Sequence, residues 1–92
     1  MSNERFASIW DAISDTPAEA ENMKLRSALI MELKGYIERE GLSQAQAAKV
    51  FGVTQPRISD LIRGKIDLFG LDTLVNMLAS AGMRVEMHIA AA

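Results

Sequence analysis

Residues 42–65 read LSQAQAAKVFGVTQPRISDLIRGK, two short helical patterns on either side of a glycine. Ser43 can cap a first helix running to about Phe51, with Ala45, Ala47, Ala48 and Val50 as compact or apolar positions. Gly52 ends it. Thr54 then caps a second helix whose first turn holds Gln55 and Pro56, where a missing N–H costs nothing. Ile58, Leu61 and Ile62 form the expected buried side of that helix, and Gly64 stops it. An alanine-rich first helix lets the second cross it closely over the Gly52-Val53 connection. This is the helix-turn-helix layout of a supporting helix, a glycine turn and a recognition helix.

With Ile58, Leu61 and Ile62 inward, the second helix presents Gln55, Pro56, Ser59, Asp60 and Arg63, with Arg57 at its margin. These side chains suit a DNA major groove. Gln can bond adenine in bidentate fashion, Arg can bond guanine, and Asp can accept from cytosine N4. Lys49, Arg63 and Lys65 are better placed to clamp phosphates, which sets register without reading sequence. The candidate DNA-contacting set is Gln44, Lys49, Thr54, Gln55, Pro56, Arg57, Ser59, Asp60, Arg63 and Lys65.

The charge of the whole chain argues the other way, with ten Lys and Arg against twelve Asp and Glu, net −2 and pI about 5.3. A basic domain is the usual footprint of a nucleic-acid binder. The distribution resolves the conflict. Residues 1–40 hold five basic and eight acidic side chains, net −3. Residues 41–69 hold Lys49, Arg57, Arg63 and Lys65 against Asp60 and Asp67, net +2, and residues 70–92 are net −1. The one net positive stretch is the helix-turn-helix.

Outward from the motif, Thr16-Pro17-Ala18-Glu19 reads as an N-cap, a first-position proline and the glutamate of a capping box, so a helix begins at Pro17. Leu25, Leu29, Leu33, Tyr36 and Ile37 carry its stripe to Gly41, a plausible terminating glycine. Glu21-Asn22 could divide it, leaving one long helix or two short ones. Before it, Phe6, Ile9, Trp10 and Ile13 fall at i, i+3, i+4 and i+7, one face of an amphipathic helix. That stripe is read either as a flap packed on the core or as a partner-binding surface. After the motif, Gly70-Leu71-Asp72 starts a further helix with Leu74, Val75 and Leu78 as its core stripe, closed by Gly82.

The last segment changes period. Met83, Val85, Met87 and Ile89 alternate with Arg84, Glu86 and His88, which predicts one β-strand in an otherwise helical chain. A lone strand leaves its backbone groups unpaired, and the simplest remedy is the same strand from a second copy, antiparallel about a two-fold axis. With the axis at Val85, Arg84 faces the partner's Glu86, and Met83 faces the partner's Met87. Met83, Arg84, Val85, Glu86, Met87 and Ile89 are thus the candidate dimerisation residues.

Several classes are disfavoured. Without cysteine there is no disulfide framework and no thiolate metal site, which fits a reducing, cytoplasmic setting. The uncharged run from Leu74 up to Arg84 is too short to span a bilayer, and Glu4 and Arg5 do not open a signal peptide. His88 is the only histidine, so a His-rich metal site is ruled out and a strand-surface role is expected. Glu38 and Glu40 read as a solvated helix face. No G-x-S-x-G, P-loop or H-E-x-x-H is present, and neither catalysis nor a cofactor is expected.

Gln44, Ala48, Gly52-Val53, Ile58-Ser59 and Gly64 together resemble the helix-turn-helix of the XRE, or phage-repressor-like, family. The continuation Gly64-Lys65-Ile66-Asp67-Leu68-Phe69-Gly70-Leu71-Asp72-Thr73-Leu74 is similar to its HTH_37-type branch, which includes HigA-like antitoxins. The resemblance covers roughly residues 23–89, with Gly70 where that branch commonly carries Ser. It implies an all-α, lambda-repressor-like DNA-binding domain of four to five helices that dimerises, to which the alternation over 83–89 adds the C-terminal β-strand pairing across the dimer. It implies a repressor binding an inverted-repeat operator on double-stranded DNA, with Gln44 on the backbone and Gln55 the leading base reader, flanked by Pro56 and Asp60. The alternative it offers is an antitoxin that neutralises a RelE- or HigB-like toxin ribonuclease. The expected organisation is an N-terminal extension (1–22), the DNA-binding domain (23–82) and a dimerisation strand and tail (83–92).

Overall fold

The computed structural model describes residues 16–91, so the Phe6, Ile9, Trp10 and Ile13 stripe lies outside the described residues. The first described helix, α1 (Pro17–Arg39), begins where the Thr16-Pro17 pair predicts. Thr16 Oγ1 accepts from the Glu19 N–H at 3.1 Å. The box is only half made: the Thr16 hydroxyl meets Glu19 Oε1 at 3.5 Å, in place of the backbone N–H that a full capping box engages. Glu21-Asn22 does not divide the helix, and Glu21 instead pairs with Lys24 one turn on, at 3.1 Å. The expected boundary between residues 22 and 23 therefore falls inside a continuous helix.

Three more helices follow, α2 (Gln44–Phe51), α3 (Gln55–Ile62) and α4 (Leu71–Ser80). A 3₁₀ turn over Ile66–Leu68, which nothing in the apolar spacing signals, joins the last two. At Ser43 the capping box is complete, with Gln46 N–H on Ser43 Oγ (3.1 Å) and Ser43 N–H on Gln46 Oε1 (2.8 Å). Each of the four helices is closed by a backbone bond spanning five residues: Leu42 to Ile37, Val53 to Ala48, Lys65 to Asp60 and Met83 to Leu78, all 3.0–3.1 Å. At two of these ends the glycine matters differently. Gly52 has φ +71° and sits so close to α4 that a Cβ would lie 3.3 Å from Ser80 Oγ. Gly64 has φ +73°, but open space lies where its Cβ would be.

The core is built from one face of each helix. Ile30, Leu33 and Ile37 of α1 meet Ala47, Ala48 and Phe51 of α2, Ile58 and Leu61 of α3, and Leu74, Met77 and Leu78 of α4. Phe69, on the connection before α4, is buried among them. Tyr36 meets Phe51 edge to face, with ring centroids 5.7 Å apart. Helices α2 and α3 pack closely on each other, and α4 packs on both α1 and α2.

Three residues expected inside are not. Ile62 is 38% exposed, because Ile58 and Leu61 already face α2 and none of the described residues covers the flank beyond them. Val75 is 40% exposed: α4 turns Leu74, Met77 and Leu78 inward at i, i+3 and i+4, which rotates Val75 by about 100° to their edge. Leu25 is 41% exposed, since the core ends near Leu29, which is half-buried. No strand occurs among the described residues, and 83–91 run without regular structure. The alternation survives in burial: Met83 and Val85 pack on the core while Arg84 and Glu86 face solvent.

The two glycines give a prediction. Gly64→Ala should cost about 1–2 kcal/mol for the left-handed backbone alone, and Gly52→Ala should cost more because Ser80 must also give way. Denaturant midpoints measure both, and equal losses would remove the Ser80 contact from the account.

Candidate nucleic-acid interface

Helix α3 is short, capped and held from behind. Thr54 Oγ1 accepts from the Arg57 N–H at 3.4 Å, which fixes its start against the Gly52-Val53 turn. Ile58 and Leu61 are wholly buried, so the opposite face must point outward. Pro56, Asp60 and Arg63 fall at i, i+4 and i+7, and Gln55 and Ser59 at i and i+4, two adjoining rows of that face. Gln55, Pro56 and Arg63 are exposed, and Ser59 and Asp60 half-buried. Thr54 is exposed at the N-cap, Gln44 is exposed in the first turn of α2, and Lys49 is exposed in its last turn.

The structure brings Asp60, Arg63 and Lys65 together. One carboxylate oxygen of Asp60 lies 3.6 Å from Arg63 Nη2 and 3.9 Å from Lys65 Nζ. With both cations open to solvent, pairs at these distances are worth at most about 1 kcal/mol each. Their effect is positional: two cations on the edge of α3 are gathered around one acid, and the trio keeps one net positive charge facing solvent. Asp60 is thus engaged with its neighbours rather than standing as an isolated acceptor for cytosine.

Arg57 is set apart from this face. Its Nη1 donates to the Leu68 carbonyl at 3.1 Å, and its guanidinium lies 5.5 Å from the centroid of the buried Phe69 ring. A base contact from Arg57 would have to break both. The turn it holds is also gripped from α1, where Arg26 Nη1 donates to the Ile66 carbonyl at 3.4 Å. Sequence reasoning missed Arg26 and Phe69 as parts of the site, since an arginine that serves a backbone carbonyl has no spacing signature. Their combined effect is to fix the 3₁₀ turn, and with it Lys65, against the end of α3.

A helix with a polar and cationic outer face, set across a supporting helix by a left-handed glycine turn, defines a helix-turn-helix domain. A family model for a helix-turn-helix domain, HTH_37, matches residues 12–90, and the chain belongs to that family. Its structure is of the XRE type: it is similar to a solved structure named "Putative XRE Family Transcriptional Regulator", with a TM-score of 0.73 and 32% identity. That match covers 80% of this chain and 83% of the other. No curated protein matches the chain. No helix among the described residues is long and apolar enough to cross a membrane.

Arg57→Ala should lower stability by about 1 kcal/mol, through loss of one hydrogen bond and one cation–π contact. Arg57→Lys should recover part of it. Chemical denaturation reads both, and an unchanged midpoint for Arg57→Ala would show that the latch contributes nothing.

Proposed function

We propose that this chain is a sequence-specific DNA-binding transcriptional regulator, acting in the cytoplasm as a homodimeric repressor on an inverted-repeat operator. The observation that carries the reading is the outer face of α3, which offers Gln55, Pro56 and Ser59 beside the Asp60, Arg63 and Lys65 cluster while Ile58 and Leu61 anchor the helix behind. In this reading α3 enters the major groove. Gln55 is the leading base reader, and Pro56 offers apolar contact of the kind a thymine methyl accepts. Gln44, Thr54, Lys49, Arg63 and Lys65 engage the phosphate backbone, which positions α3 without reading bases. Net +2 over residues 41–69 supports the location, and the small number of cations supports two copies acting together, since phosphate contacts dominate affinity.

The dimer contact in this proposal is the antiparallel pairing of residues 83–89 about Val85. Two observations support it. Met87 and Ile89 are 63% and 87% exposed, an apolar edge left in water by the single chain. Arg84 and Glu86 stand on the same side of the segment, 2.9 Å apart, so two copies in this register would bring four alternating charges together. Glu86→Arg should weaken the dimer in sedimentation measurements, and the double variant Arg84→Glu/Glu86→Arg should restore it. A double variant no better than the single one would exclude this register.

A second reading, an antitoxin that binds a basic RelE-like toxin and regulates its own operon, is supported by the excess of acid over residues 1–40, which precede the net positive stretch 41–69 in the sequence. Co-expression with the product of the neighbouring gene tests it. A stable complex with a small basic protein is the expected result, and its absence counts against this reading.

Gel shifts on a selected operator and on random DNA test the DNA reading. Gln55→Ala should lose about tenfold in discrimination, the low end for one bidentate contact. Lys65→Ala should weaken both DNAs alike and reduce the salt slope by about 1. Unchanged preference in Gln55→Ala would remove its assigned role.

A further inference from the structure

Lys65 stands at the head of the 3₁₀ turn, with φ −79° and ψ 76°, the apex of an inverse γ-turn. The Ile66 N–H closes that γ-turn on the Gly64 carbonyl at 2.8 Å, and the Lys65 N–H is tied to the Asp60 carbonyl at 3.1 Å. These bonds are local to residues 60–66. Two arginines hold the 3₁₀ turn from outside it, one at each end. Arg57 takes the Leu68 carbonyl, while Arg26, on α1, takes the Ile66 carbonyl. Ile66 is the residue next to Lys65, so the grip from α1 acts directly beside the cation.

For stability alone Arg26 is a poor choice at this place. It is half-buried, its Nε is shut off from water, and that nitrogen has no hydrogen-bond partner among the described residues. None of the described carboxylates forms an ion pair with it. Stranding a nitrogen of a charged group is destabilising, and one bond of 3.4 Å offsets little of that. A methionine would fill much the same space with no stranded polar atom. A local rule broken in this way marks a residue whose role lies outside the core.

We propose that Arg26 is a positioning residue for DNA binding: from α1 it holds the Ile66 carbonyl, and with it the turn, in the setting that presents Lys65 to a backbone phosphate. This rests on the reading that Lys65 engages phosphate. The turn has room to move if released, because a cleft of about 470 Å³ lies between Met23 of α1 and residues 64–68. With Arg57 still on the Leu68 carbonyl, the freed end is the one that carries Lys65. The Lys65 ammonium is half exposed and 3.9 Å from an Asp60 carboxylate oxygen, so a small rotation of the turn decides whether it faces that acid or solvent. Arg26 itself touches no DNA in this scheme.

Gel shifts over a range of salt concentrations test the proposal, with denaturant midpoints measured on the same proteins. Arg26→Met should reduce the salt slope by about 1, as Lys65→Ala does, with a midpoint no lower than that of the unaltered chain. Arg26→Lys, which retains a donor, should recover part of the slope. In a Lys65→Ala background, Arg26→Met should change the slope no further. A lower midpoint with an unchanged slope would make Arg26 purely structural and overturn the proposal. Slopes that add in the double variant would overturn it as well, since Arg26 would then meet phosphate on its own account. An unchanged slope in Lys65→Ala would instead remove the phosphate reading of Lys65, and the proposal with it.

Discussion

Phe51 and Ile58 stand on either side of the Gly52 turn, and both are removed from water. Two fully buried side chains of this size are each worth about 1.5–3 kcal/mol against leaving them exposed. They can be buried together only if the chain reverses between them within a few residues. Gly52 provides that reversal in the left-handed region, and the Val53 N–H seals it on the Ala48 carbonyl at 3.0 Å. Ala47 and Ala48 keep the α2 surface low enough for α3 to approach. From this junction follows the rest: α1 and α4 complete the cover, and the outer face of α3 is left to solvent because its inner face is spent on the core.

Much of this could be read before any coordinates. Ser43, Thr54 and Thr16 announce helix starts through local hydrogen bonding, and Gly41, Gly52, Gly64 and Gly82 announce helix ends through backbone sterics. Both effects act over four or five residues, so they survive in a single sequence. Leu33, Ile37, Ile58, Leu61, Leu74 and Leu78 were equally legible, since their spacing is helical and their neighbours polar. What failed was the edge of each stripe. Ile62, Val75 and Leu25 are apolar and correctly spaced, but whether they are covered depends on where neighbouring elements stop, which is a long-range property.

The site was legible in its position and less so in its inner wiring. Gln55, Pro56, Ser59 and Arg63 lie on the outer side of α3 because Ile58 and Leu61 must lie on the inner side. Arg57 differs because a guanidinium can reach a carbonyl eleven residues away, and no periodicity encodes the Leu68 carbonyl as its partner. Asp60 likewise has its surroundings set by Arg63, one turn on, and by Lys65, beyond the Gly64 stop. The result is a division of labour among the basic residues of the motif. Arg57 maintains the turn behind α3, while Arg63 and Lys65 stand at its edge around Asp60.

The central claim is that α3 reads the major groove once per protomer, with the two readings related by a two-fold axis. Methylation interference at guanine N7, a major-groove atom, tests it most directly on DNA selected by the protein from a random pool. The account predicts two symmetric clusters of interference, their centres about 34–36 Å or a multiple of that apart along the helix axis, and both lost in Gln55→Ala. One unpaired cluster, or binding indifferent to N7 methylation on DNA whose selected site contains guanines in both halves, would contradict it.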